Sequence, residues 1–238
     1  MAKVLSPPHR CYDQSWMSRR HTEPRPREVQ RVAKIVGILS QEYQGAECSL
    51  HHANPFQLLV ATILSAQCTD VRVNMVTPHL FEEYPSPEVL ALADPAEVQE
   101  IIRSTGFFRN KTRSLIGSAT RIVSSFEGHV PSTMKDLLTL PGVARKTANV
   151  VLGTAFGIAS GVVVDTHVGR LTGRLGMTPE KTPVAIERDL MEQIEQKDWI
   201  DFSHWLIHHG RQVCHARKPQ CGRCVLVDLC PYYAEKLA

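Results

Sequence analysis

Four thiols crowded near the C-terminus constrain this chain more than any other feature: Cys214, Cys221, Cys224 and Cys230 follow the pattern C-x6-C-x2-C-x5-C. Thiols that close together either hold a metal or pair as disulfides. The remaining cysteines, Cys11, Cys48 and Cys68, are scattered, the total of 7 is odd, and no secretory signal is visible, so a metal site is expected. Spacing alone leaves zinc and iron-sulfur open, because both accept four thiolates. His215, beside the first cysteine, and the group His204, His208 and His209 could supply a ligand instead. With four cysteines available, these histidines are assigned surface or packing roles. Between the first two cysteines lie Arg217 and Lys218, with Arg211 and Arg223 just outside. A metal-pinned loop carrying such side chains is a ready phosphate contact.

The second feature is the run Leu-Pro-Gly-Val-Ala-Arg-Lys-Thr-Ala-Asn-Val-Val from Leu140. Pro141 and Gly142 break two helix-like stretches, 132–140 and about 145–156, which predicts a helix, a hairpin and a second helix. Such a hairpin turns backbone N–H groups outward at the positive end of a helix dipole, where a phosphate can be held without sequence readout. Lys146 then falls in the first turn of the second helix. A cation there opposes the dipole, so the position suits a nucleophilic amine better than it suits helix stability. Asp165 follows the apolar run Val162-Val163-Val164 and precedes Thr166-His167-Val168, where another helix can start. Taken by itself it is an N-cap. Paired with a lysine by the hairpin, a carboxylate takes part in amine chemistry that neither group does alone.

Elsewhere the pattern is helical. Val32, Ile35, Val36 and Leu39 recur at helical spacing, and 56–66, 98–102, 115–126, 184–194 and 202–208 give further helices. Strand-like alternation is scarce and 162–164 is too short for a sheet, so an all-α fold is expected. The longest apolar run, 58–64, is too short to cross a membrane. Lys and Arg total 27 against 24 Asp and Glu, a net +3. Residues 1–30 alone carry that excess, through Lys3, Arg10, Arg19, Arg20, Arg25 and Arg27 against Asp13, Glu23 and Glu28. Any DNA-binding surface must therefore be a local patch and not a global field. Residues 1–26, with Pro7, Pro8, Pro24 and Pro26 and no apolar periodicity, are expected to form a flexible basic extension.

The hairpin and lysine, the VVVDTH segment and the four cysteines together resemble the endonuclease III family of DNA glycosylases, over about residues 29–232. That resemblance implies a helix-hairpin-helix glycosylase fold with two helical domains flanking a cleft. One, a six-helix domain, would span 48–158, and the other would combine 27–47 with 159–238 and a 4Fe-4S cluster on Cys214, Cys221, Cys224 and Cys230. It implies that Lys146 attacks C1′ of a damaged nucleotide and forms a Schiff base leading to β-elimination, assisted by Asp165. Gln67 would enter the space left by an extruded nucleotide, and Phe107 would be the wedge facing the opposite strand, with Phe108 or Phe107 packing inward. Gly142, Ala144, Arg145, His167, Arg217 and Lys218 are the further DNA contacts, and Asp70 is a substrate-pocket residue. The partner implied is duplex DNA with damaged pyrimidines or abasic sites, bound by a monomer without membrane contact in a bacterial, nucleoid-associated cytoplasmic setting.

The chain departs from the family pattern twice. The second hairpin glycine is Ala144, and the stretch between lysine and aspartate is one residue longer, around 158–161. If position 144 needs a left-handed backbone, alanine costs on the order of 1 to 2 kcal/mol there. Two other functions compete with the bifunctional one. A monofunctional adenine glycosylase would keep hairpin, aspartate and cluster but lack the lysine; a non-catalytic metal-stabilised module would use Lys146 and Asp165 as phosphate and cap residues.

Overall fold

The computed structural model describes residues 26–236. The basic extension expected for residues 1–26 therefore lies, but for Pro26, outside the described residues. Helices α1 (Pro26–Glu42), α2 (Pro55–Leu64), α3 (Asp70–Glu83), α4 (Pro87–Ala91), α5 (Pro95–Ile102) and α6 (Phe108–Phe126) form the first part of the chain. They are followed by α7 (Met134–Leu137), α8 (Arg145–Phe156), α9 (Thr166–Arg174), α10 (Pro183–Gln193), α11 (Trp199–Gln212) and α12 (Pro231–Lys236). Among the described residues there is no strand.

Several boundaries are written locally. Proline opens α2, α4, α5 and α10, where its missing N–H costs nothing. Just before three of these prolines, Asn54, Asp94 and Thr182 accept hydrogen bonds from first-turn N–H groups. Helix α7 is shorter than the expected 132–140, because Thr133 caps it by accepting from the Asp136 N–H and the chain turns after Leu137 towards Pro141. Helix α3 escapes the periodicity search: it contains Pro78 and is rich in valine, asparagine and threonine, which are weak helix formers.

Buried side chains sort into two apolar clusters. The first is built on α2, whose Phe56 and every residue from Leu58 to Leu64 are buried, with Val73 and Leu80 of α3, Ile102 of α5, Leu115 and Ile122 of α6, and Val151 and Leu152 of α8. A helix buried all round must sit at the centre of a core. Truncating Leu59 or Leu64 to alanine costs about 2–5 kcal/mol at such a site. The second cluster joins Val32, Ile35 and Leu39 of α1 to Val168 and Leu171 of α9, Leu190 of α10, and Phe202 and Leu206 of α11. The first helix in the chain thus packs with the last large ones. Residues 157–161 carry the chain from one cluster to the other. After them Val162 and Val164 bury into the second core while the Val163 N–H donates to Ser203 Oγ at 2.9 Å.

Candidate active site and cluster loop

The hairpin is seated on one face of α6. Ser118 Oγ donates to the Pro141 carbonyl at 2.7 Å, and Pro141 packs over Gly117. Gly142 takes the left-handed backbone, with φ 79°, and a Cβ there would meet the Ser114 Cβ at 2.6 Å. Ala144 does not take it. With φ −98° and ψ 172° it is the extended N-cap residue of α8, so the left-handed requirement considered for position 144 is absent and the alanine methyl carries no penalty. No side chain caps α8, which leaves its first-turn N–H groups facing outward with those of the hairpin.

Lys146 is exposed on the first turn of α8 and lines a cleft between the two clusters. Asp165 lines the same cleft from the other side. No hydrogen bond or ion pair engages the Lys146 amine among the described residues. The Asp165 carboxylate, 16 % exposed, is divided in its duties. Its Oδ1 caps α9, accepting from the His167 N–H at 2.7 Å and the Val168 N–H at 2.8 Å. Its Oδ2 lies 3.1 Å from His167 Nδ1, so His167 holds the aspartate. The capping role and the cleft position coexist in one side chain.

Sequence reasoning missed the acid that ties these elements together. Glu187 of α10, almost fully buried, accepts from Arg145 Nε at 2.7 Å, Arg145 Nη2 at 3.0 Å and Asn149 Nδ2 at 2.8 Å. Asn149 Oδ1 in turn accepts from Ser160 Oγ at 2.9 Å. The Arg145 guanidinium, expected on DNA, is thus committed largely to Glu187, and that partner pushes its pKa above the ordinary arginine value. Ser160 lies in the lengthened stretch, and Gly161 beside it leaves room for the network: a Cβ there would stand 2.0 Å from Glu187 Oε1. The extra residue is absorbed in a loop bonded back to α8.

Asp70 lines the cleft too, but it neither binds backbone N–H groups nor stands unpaired. It accepts from Arg211 Nη2 at 2.6 Å, and Arg211 Nη1 donates to Ser49 Oγ at 2.9 Å. This ion pair joins α3 on the first core to α11 on the second. Gln67 and Phe107, the expected plug and wedge, are both exposed, and both hold left-handed backbones, with φ 52° and 49°. Phe107 is 62 % exposed, whereas Phe108 packs against the first core.

The four cysteines Cys214, Cys221, Cys224 and Cys230 line one space. Among the described residues no three metal-binding side chains converge on a point that would hold a single ion. Four thiols around one space, with no tight three-ligand grouping among the described residues, suit a cluster that bridges them. Burial, reinforced by the neighbouring thiols, pushes Cys224 up to about 11 and raises Cys221 also, so holding four thiolates there requires positive charge among them. Two N–H groups already face the sulfurs. Arg174 Nη1 donates to Cys214 Sγ at 3.1 Å, and His209 Nε2 lies 3.3 Å from Cys224 Sγ. The other nitrogen of His209 lies 2.7 Å from the Tyr43 hydroxyl. With Cys224 as a thiolate acceptor, the imidazole proton sits on Nε2 and Tyr43 donates to Nδ1. His209 therefore supports a ligand sulfur and does not replace it. Arg217 and Lys218 stand exposed on the same loop.

With this geometry in hand, comparison with known proteins is specific. Residues 60–196 match the model of the HhH-GPD superfamily base excision DNA repair proteins, and 214–230 match the iron-sulfur binding domain of endonuclease III. Endonuclease III of Synechocystis sp. is 60% identical over 202 residues, which are 85% of this chain and 92% of the relative. The Bacillus subtilis endonuclease III is 45% identical, over 85% and 92% respectively. Among solved structures, a trapped endonuclease III–DNA covalent intermediate superposes with a TM-score of 0.84 at 38% identity, covering 88% of this chain and 99% of that one. A non-covalent endonuclease III–DNA complex gives 0.82 at 40%, covering 86% and 95%.

Proposed function

This chain belongs to the endonuclease III family of the HhH-GPD superfamily, and from that premise we propose that it is a bifunctional DNA glycosylase and AP lyase acting on damaged pyrimidines in duplex DNA. The observation that carries this reading is the shared cleft: an untethered amine, Lys146, across from a mostly buried carboxylate, Asp165. The Lys146 nitrogen attacks C1′ of the damaged nucleotide, the C1′–N glycosidic bond breaks, and the base leaves with the bonding pair and takes up a proton. Asp165 balances positive charge on the sugar and helps remove the proton from the attacking amine. Ring opening gives the Schiff base; loss of a C2′ proton then expels the 3′ phosphate, and water releases the lysine.

Two apolar cores with the cleft between them support a division into a domain of residues 48–158 and one that combines 27–47 with 159–238. Backbone N–H groups at Gly142 to Lys146 and the exposed Arg217 and Lys218 hold DNA phosphates. Asp70, held by Arg211, borders the space an extruded base enters. Cys214, Cys221, Cys224 and Cys230 would hold a 4Fe-4S cluster, whose role would be to pin the C-terminal loop, the four thiolates supplying one ligand to each iron. The relatives are bacterial, which supports a cytoplasmic, nucleoid-associated setting, and we read the enzyme as a monomer; no helix of the described residues is long and apolar enough to cross a membrane.

A duplex carrying a ring-saturated pyrimidine tests the proposal. The protein should release the free base and nick the strand in the same reaction. Release of adenine from a mismatch with the strand left whole would instead mark a monofunctional glycosylase, which Lys146 argues against. Binding with neither product would mark a non-catalytic module.

A further inference from the structure

We propose that Lys111 is a positioning residue for base extrusion, its ammonium clamping together the two loops that carry Gln67 and Phe107; this rests on the glycosylase reading above. Lys111 stands in the first turn of α6 and is only 5% exposed. Its Nζ donates to the Leu64 carbonyl at 2.8 Å and to the Thr105 carbonyl at 2.8 Å. Leu64 ends α2, three residues before Gln67. Thr105 immediately precedes Gly106 and Phe107. Both carbonyls lie where a helical segment stops and leaves its last acceptors unpaired, so one amine closes two chain ends at once.

The two loops share a second property. Among the described residues only Gln67, Phe107 and Glu127 are non-glycine residues with positive φ, and two of these three are the exposed side chains on the loops that Lys111 joins. A non-glycine residue persists in that region when its surroundings over-determine the backbone. Here the surroundings include a cation fixed to the residues just upstream of both. The clamp sets the distance between a plug that enters the vacated stack and a wedge on the opposite strand.

Fold stability alone is a poor account of this lysine. Burial lowers its pKa, and no carboxylate among the described residues pairs with it. An apolar side chain of the same length would fill the site without burying a charge, though it would leave the Leu64 and Thr105 carbonyls without this donor. What it could not do is fix two carbonyls relative to each other.

The test compares two substrates in Lys111→Met. Excision of a ring-saturated pyrimidine from duplex DNA needs extrusion and gap filling, whereas cleavage of a single-stranded oligonucleotide at an abasic site needs neither. Single-turnover duplex excision should fall about tenfold or more, as expected for misplaced side chains. Cleavage of the single strand should stay near wild type, at a temperature well below the melting point. The fluorescence rise of a 2-aminopurine placed opposite the lesion, which reports unstacking, should be lost. Lys111→Gln, whose shorter amide reaches one carbonyl and not both, serves if the methionine variant does not fold; its duplex loss should be smaller, with single-strand cleavage kept. Unchanged duplex excision, or an equal loss on both substrates, would overturn the proposal. Failure of the wild type on the single strand would instead strike at the lyase reading.

Discussion

Gly142 and Ala144 divide the work of the hairpin between them. Gly142 needs its missing side chain twice over, for the left-handed backbone and for the approach of Ser114. Gly142→Ala should therefore destabilise the protein by at least about 1–2 kcal/mol in chemical denaturation and weaken DNA binding. Ala144→Gly should do neither. Glycine is a better N-cap than alanine but adds freedom to the unfolded chain, and these opposed terms of about 0.5–1 kcal/mol each nearly cancel. Asp165 separates in the same way. Asparagine keeps an oxygen for the His167 and Val168 N–H groups, so Asp165→Asn should leave thermal stability within about 1 kcal/mol of the parent. Loss of the charge should lower base excision about a hundredfold or more in single-turnover assays. Lysine, aspartate and the four cysteines were legible in the sequence because each sits in a local pattern. Lys111, Glu187 and the partner of Asp70 were not, since their contacts cross 47, 42 and 141 residues and leave no periodic trace.

Among elements, the tie between α8 and α10 joins the helix that carries the lysine to the core that carries the aspartate. Glu187→Ala strips acceptors from Arg145 and from Asn149. Arg145 reaches water, so the cost should be about 1–3 kcal/mol rather than that of an orphaned buried charge, read as a lower denaturation midpoint. The same variant should reduce Schiff base formation, because Asn149, the anchor of Ser160 and the lengthened loop on α8, loses the acceptor that orients its amide. That loop shows what spacing can and cannot tell. The extra residue was visible at once, but whether it displaced Asp165 depended on Asn149 and on the bare Gly161, neither of which stands out in the sequence. Helices α6 and α11 were found short of their true starts, and α3 was overlooked, because packing of α3 and α6 against α2 and α5, and of α11 against α1 and α9, stabilises segments whose own propensity is weak.

For the whole molecule, two cores meet at a cleft and only the second includes the cysteine loop. Cys214, Cys224 and Cys230 pack against that second core, and Arg174 holds the loop through the His215 and Ala216 carbonyls. Oxidative loss of the cluster, followed as bleaching of its visible absorbance, should release hydrogen-exchange protection in α9, α11 and α12. Amides of α2, α6 and α8 should stay protected. Equal loss throughout would mean that the cores do not behave as separate units.

The reading of the whole molecule turns on the amine of Lys146 becoming covalently attached to DNA. Borohydride reduces a Schiff base to a stable amine, so incubation with abasic-site duplex and borohydride should give a protein–DNA adduct that survives denaturing electrophoresis. Lys146→Ala should give none while still binding the same duplex. Absence of an adduct with the wild-type protein, or an undiminished adduct in Lys146→Ala, would contradict the account.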